Sequence, residues 1–229
     1  MAYSKNNRKM ILNVNEIRQT ENSTECGIAC LNMILNYHNI NVDYNFIFNK
    51  LKDGFKNLGL STPQLGKFLI DNFNLDVTII TLNPMLFSIN EIKGSKNTLV
   101  NRIEARKKTF KDSKNVEIAD EFIDFLSAGG EIKAEIPTKN HIQNEIDLGN
   151  PLIAILNSNF LNGKLLFNFH FNVITGYDNT FFYTNDPMAD ETGGKKKHIK
   201  ENFIYSIHST SFGDLDNAAL LLIKPKQVK

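Results

Sequence analysis

Tryptophan is absent, and cysteine occurs only twice in 229 residues. Two cysteines are too few for a disulfide framework. Cys26 and Cys30 fall four apart on one predicted helix, which excludes a relaxed bridge between them. Free thiols suit a reducing compartment, so the expectation is a cytoplasmic protein, with export by a route that needs no signal peptide left open. Long hydrophobic runs are also missing. The N-terminus, MAYSKNNRKMILNVNEIRQ, is basic, but its apolar stretch is only Met10–Leu12, too short for a signal-peptide core. No window approaches the roughly 18 apolar residues of a membrane span. Net charge is nearly nil: 26 Lys and Arg against 25 Asp and Glu leave +1, which gives no field to attract nucleic acid or a membrane surface. Neither partner is expected.

What is present reads as a globular chain, 41% apolar and 22% charged, with one domain spanning 1–229. Apolar residues at 28, 31, 34, 35 and 37 predict a helix over Cys26–Tyr37, with Ser23, Thr24 and Glu25 as N-cap candidates. Shorter helices are expected at about Tyr44–Leu51, stopped by Gly54, and from Thr62-Pro63 to Phe73. Val77–Leu82 reads as a strand. The region 82–151 is an elaborated, largely helical insert. It holds one surface helix within the basic stretch Lys93–Lys114, the amphipathic Val116–Ala128 ending at Gly129-Gly130, and Thr138–Leu148. Strands follow at Leu152–Leu156, Leu165–Tyr177, Phe181–Asn185 and Ala218–Ile223. Helices early and antiparallel strands late make an α+β layout, N-terminal helices on a C-terminal sheet.

Cys30 sits one turn into its helix beside Leu31 and Ile34 and reads as core. Cys26 differs, because it falls at the helix N-terminus, where unpaired N–H groups and the macrodipole favour thiolate. Gly27 is expected to keep the approach to the sulfur open. A thiol nucleophile needs a base and the base an orienting group. In FNFHFNV, strand alternation sets Asn168, His170 and Asn172 on one face and the phenylalanines with Val173 on the other, the latter facing the core. A short turn later, FFYTNDP ends in Asp186, within reach of His170 if the two strands pair. Upstream, Gln19 offers an amide donor for an oxyanion. His38, His141, His198 and His208 lack an acid at matching spacing and read as surface residues.

The stretch RQTENSTECGIACLNMILNY resembles the start of the C39-type papain-like cysteine peptidases: a Gln, a polar run, an acid, CG, a residue, AC and an apolar helix. FHFNVITGYD…FFYTNDP resembles their histidine motif and Asn-Asp-Pro aspartate, and STPQLGKFL their third helix. The longer spacing is similar to a C39-like branch that includes proteins described as guanylyl cyclase domain-containing. The resemblance covers about 15–225. It implies a papain-like fold, catalytic roles for Cys26, His170 and Asp186, and an oxyanion role for Gln19. Gln19 lies seven residues before Cys26, where the family has six, so either a one-residue bulge intervenes or Asn22 takes the role. Many such domains are fused to a transporter and cleave after a double glycine. No transporter segment is present here, so that substrate is not implied.

The expected activity is hydrolysis of a peptide or isopeptide amide through an acyl-enzyme, on a peptide or protein substrate and with no cofactor and no metal. Deamidation or acyl transfer would use the same residues. Nucleotide cyclisation finds little support: Gly193-Gly194-Lys195-Lys196-Lys197 lacks the spaced pattern of a phosphate loop and reads as a solvated loop. A binding module with a silent triad is the remaining alternative.

Overall fold

A computed structural model describes residues 9–54, 59–88 and 96–226, with the backbone alone at 96 and 97. The chain begins with a two-residue strand, β1 (Met10–Ile11), and then three helices, α1 (Cys26–Tyr37), α2 (Tyr44–Leu51) and α3 (Thr62–Phe73). Strand β2 (Leu75–Thr81) leads to α4 (Lys96–Lys107), α5 (Ser113–Ser127), β3 (Glu131–Lys133) and α6 (Lys139–Asp147). The last third holds β4 (Leu152–Asn157), α7 (Ser158–Leu161), β5 (Phe169–Tyr177), β6 (Phe181–Asp186), β7 (Gly194–Ile199), α8 (Lys200–His208) and β8 (Ala219–Pro225). The strands join in one sheet of order β3-β2-β8-β4-β5-β6-β7, with β1 paired to β5. Among the described residues each strand pairing is antiparallel except β2 with β3. This is the expected α+β, papain-like architecture. The sheet also recruits β1, β2 and β3 from the first two thirds of the chain.

Helix boundaries follow local chemistry. Ser61 accepts from Gln64 N while the Gln64 side chain accepts from Ser61 N, a capping box, with Pro63 in the first turn of α3. Thr138 and His141 form the same device on α6. Helix α1 is sequestered from Gly27 to Leu35 and lies across β5. Ile28, Leu31, Ile34 and Leu35 are each fully buried there, worth about 1.5–3 kcal/mol apiece. They tie the cysteine helix to the strand that carries His170. Strand β1 can approach β5 only because residue 176 is glycine: a Cβ there would stand 2.4 Å from Met10 O.

Several expectations need correction. Residues 165–168 precede the strand, which starts at Phe169, and Phe167 is 69% exposed, so of the phenylalanines only Phe171 reaches the core. The basic run after Gly193 is an edge strand, β7, paired residue for residue with β6, and the helix α8 after it was not foreseen. Helix α5 starts at Ser113, capped by Asp112, and the basic stretch before it holds α4; its first residues, 93–95, lie outside the described residues. None of the four other histidines is a simple surface residue, since all are half-buried. His198 stacks on Phe203, with ring centroids 5.8 Å apart, and His141 serves the α6 cap.

Candidate active site

Glu25 occupies the N-cap of α1 but its side chain makes no capping hydrogen bond. Its carboxylate accepts instead from Thr20 Oγ1 (2.7 Å) and Tyr44 OH (3.0 Å). The positive end of α1 is therefore left to the first residue of the helix, Cys26. Cys26 is half-buried and lines a cleft of about 770 Å3. A Cβ at Gly27 would meet Leu65 Cδ2 at 3.0 Å, so this glycine allows the close approach of α3 to α1.

Strand β5 delivers His170, 4% exposed, against the N-terminus of α1, and β6 delivers Asp186, 5% exposed. His170 Nε2 and Asp186 Oδ1 are 2.8 Å apart. The ring hydrogen-bonds Cys26 as well, which leaves Nδ1 for the sulfur. Asp186 Oδ1 also accepts from Met188 N (2.9 Å), and Asn172, on the His170 face of β5, hydrogen-bonds the same carboxylate. The alternation FNFHFNV marked Asn172 as a neighbour of His170, but not as a second support for the acid.

These contacts set the protonation states. Burial pushes the Cys26 thiol up, but the His170 charge and hydrogen bond, with the N–H groups of Phe171 and Gly27, draw it below the ordinary thiol value. Burial pushes His170 down, and the Cys26 thiolate, the Asp186 hydrogen bond and the Asp186 charge outweigh it, raising the imidazole to about 10. Asp186 is held below the usual carboxylate range against its own burial, chiefly by His170. Cys30 is driven well up by burial and by the charges of Cys26 and Asp186, and stays an inert core thiol. The arrangement favours a thiolate–imidazolium pair steadied by a carboxylate.

Gln19, 8% exposed, also lines the cleft. Its Nε2 donates to Ser23 O at 2.7 Å, which leaves the second amide hydrogen unspent. The extra residue between Gln19 and Cys26 is taken up in a tight turn: Ser23 N donates to Thr20 O (3.2 Å), and Asn22 adopts φ +56°. Asn22 is exposed and is not among the residues that line the cleft, so of the two amides it is Gln19 that shares the cleft with Cys26. Gln19 N donates to Pro187 O at 2.8 Å, which joins this segment to the end of β6.

The opposite wall of the cleft has no counterpart among the residues the sequence singled out. Helix α5 brings Lys114, Glu117 and Glu121 to it, and the segment before β8 brings Asp214, Asp216 and Asn217. Glu121 accepts from Ser61 Oγ (2.5 Å) and Gln64 Nε2 (2.6 Å). Asp216 accepts from Thr62 N (2.8 Å) across a separation of 154 residues, which no local signal in the sequence encodes. Among the described residues no group of three His, Cys, Asp or Glu side chains could hold a metal ion, and no helix is long and apolar enough to cross a membrane.

Comparison with known proteins bears on the fold and the family. A solved structure from Bacillus anthracis, described as a C39-like peptidase, superposes with a TM-score of 0.56 at 17% identity, covering 97% of this chain and 100% of that one. A double glycine motif protease from an AMS/PCAT transporter, solved in complex with the leader peptide, aligns at 20% identity over 95% of each chain with a TM-score of 0.49. At 17% identity the likeness to the first of these is one of fold. No curated protein matches the sequence significantly. The family model described as "Peptidase_C39 like family" matches residues 11–212, and the chain belongs to that family.

Proposed function

We propose that the protein is a cysteine peptidase that hydrolyses a peptide or isopeptide amide through an acyl-enzyme. Family membership supports peptidase activity in general. The observation that carries the finer reading is the hydrogen-bonded series Cys26–His170–Asp186, with its 2.8 Å contact between imidazole and carboxylate. In this reading the Cys26 thiolate attacks the carbonyl carbon. The oxyanion is met by the Cys26 N–H and the spare amide hydrogen of Gln19, each such donor being worth about 2.7–4 kcal/mol. The His170 imidazolium gives its proton to the leaving amine. The neutral imidazole then takes a proton from water, which attacks the thioester and releases the acid. Asp186 keeps the ring oriented throughout. The substrate is a peptide or protein segment entering the cleft as an extended chain. Residues 1–229 act as one domain in this reading, and the 82–151 region contributes α5 to substrate choice. Two free thiols suit the cytoplasm as the site of action.

The test is a degradomic assay: purified protein is incubated with a peptide library and new termini are identified by mass spectrometry. Cleavage by the wild type, lost in Cys26→Ala and in His170→Ala, is the expected result. Conversion of Gln or Asn side chains without new termini would instead assign deamidation to the same residues, and cleavage that persists in Cys26→Ala would overturn the reading.

A further inference from the structure

Glu25 is an unfavourable choice for the N-cap of α1. Asn, Asp, Ser and Thr serve that position best, Ser23 and Thr24 stand just before it, and the Glu25 side chain makes no capping bond. Its carboxylate is engaged elsewhere. Thr20 Oγ1 (2.7 Å) and Tyr44 OH (3.0 Å) both donate to the same oxygen, Oε2. One acceptor thus joins the residue after Gln19, the residue before Cys26 and the first residue of α2. A local preference given up for a tertiary contact next to the nucleophile is the mark of a functional constraint.

The segment held by this hub carries the Gln19 amide. Gln19 Nε2 donates to Ser23 O (2.7 Å), Ser23 Oγ to Thr20 O (2.7 Å) and Glu25 N to Ser23 Oγ (3.3 Å), so residues 19–25 close on themselves. At its front the loop is fastened by Gln19 N to Pro187 O. At its back the Tyr44–Glu25 bond ties it to α2. That helix is a firm anchor. Asn45 N donates to the capping Asp43 Oδ1 (2.7 Å), and Asn32, buried on α1, donates to Val42 O (2.9 Å) two residues before Tyr44. Burial and the Glu25 bond push the Tyr44 phenol well up, so it stays a donor across the neutral range.

We infer that Glu25 and Tyr44 are positioning residues of the proposed hydrolysis: the carboxylate, held by the α2 phenol, sets the 19–25 loop so that the Gln19 amide meets the oxyanion. This rests on the peptidase reading and extends it to two residues that do not line the cleft. The role is geometric. Oε2 has only to accept two hydrogen bonds, which the amide oxygen of a glutamine also does. An oxyanion donor acts only while a tetrahedral species exists. Loss of the hub therefore slows attack on a carbonyl and spares attack on a saturated carbon.

Two reagents separate these reactions without a natural substrate. With p-nitrophenyl acetate the Cys26 thiolate adds to the ester carbonyl, the tetrahedral oxyanion collapses, p-nitrophenolate leaves and the acetyl group stays on sulfur. Iodoacetamide alkylates the same thiolate by displacing iodide, and no oxyanion forms. Acylation is followed by nitrophenolate absorbance, less the Cys26→Ala rate, and alkylation by intact mass. The ratio of acylation to alkylation rate constants is expected to fall about tenfold in Tyr44→Phe and Glu25→Ala, and to stay within about twofold of wild type in Glu25→Gln. Gln19→Ala should lower the ratio at least as far, and Tyr44→Phe added to it should produce no further fall. Tyr44→Phe removes a single oxygen and carries the test if Glu25→Ala does not fold. A ratio unmoved in Tyr44→Phe or in Gln19→Ala, a glutamine variant as slow as the alanine one, or additive losses in the double variant overturns the inference. A wild-type Cys26 that iodoacetamide labels no faster than Cys30 sinks the peptidase reading itself, and the positioning role with it.

Discussion

The pairing of Cys26 with His170 makes a quantitative prediction about thiol reactivity. In His170→Ala the sulfur keeps its burial, which disfavours the thiolate, and loses the charge and hydrogen bond that oppose it. What remains are the N–H groups of Gly27 and Phe171 and the helix dipole, the dipole worth about 0.3–1 kcal/mol. A hydrogen bond to a charged group contributes about 1.5–3 kcal/mol, so its loss cuts the thiolate population at pH 7 by about ten- to a hundredfold. The thiolate that survives is more basic and attacks faster, with a Brønsted slope of about 0.4–0.5, so the alkylation rate falls by the smaller factor of about three to ten. Cys26 alkylation by iodoacetamide, followed by intact mass from pH 5 to 11, should show two profiles that meet. The variant is slower near neutrality and reaches the wild-type rate once the pH passes about 10, where the wild-type imidazole itself loses its proton. Cys30, fully buried, serves as the internal control and labels slowly in both proteins. Equal rates at pH 7, or curves that stay parallel to pH 11, would refute the paired thiolate.

Three further outcomes follow from the same structure. Asp186→Asn, which keeps the shape but removes the carboxylate charge 2.8 Å from His170, should lower kcat by about 10²–10⁴-fold on any cleaved peptide with KM little changed. Gly176→Val inserts a Cβ 2.4 Å from Met10 O and should cost about 1–3 kcal/mol, a fall in Tm of several degrees by calorimetry. Asp216 has a raised carboxyl, so the native state binds more protons than the unfolded chain between the ordinary 3.8 and about 6, and stability falls as pH rises through that window. Asp216→Asn should therefore raise Tm relative to wild type above pH 7, and the gap should narrow below pH 4. A gap that widens on acidification would contradict the sign.

Legibility in the sequence depended on whether the governing interaction was local. Helix α1 was readable to the residue because an apolar stripe meets a polar run at Cys26. Helices α2 and α3 announced themselves through Tyr44–Leu51 and the Thr62-Pro63 start. Strand β7 was not readable: GKKKHI lacks apolar alternation, and it is a strand because its backbone completes β6 at the sheet edge, where lysines deter further pairing. The two faces of β5 were assigned correctly near His170 but not at Phe167, because the strand begins two residues after it. Within the site, the order Cys, His, Asp and the upstream Gln could be read as chemistry. The α5 wall could not, since Glu121 meets Ser61 and Asp216 meets Thr62 only after the chain has closed on itself.

Gln19 N donates to Pro187 O, and Arg18 donates to Met188 O and to Asp190 O, so the segment just upstream of the cysteine is fastened to the residues that follow Asp186. The Gln19 amide, proposed to face a developing oxyanion, and the Asp186 carboxylate beside the imidazole thus ride on one mechanical part, although 167 positions separate them in the chain. Thermal displacement of that part moves both in phase, and damage to the Arg18 anchorage should reach the two ends of the reaction centre together.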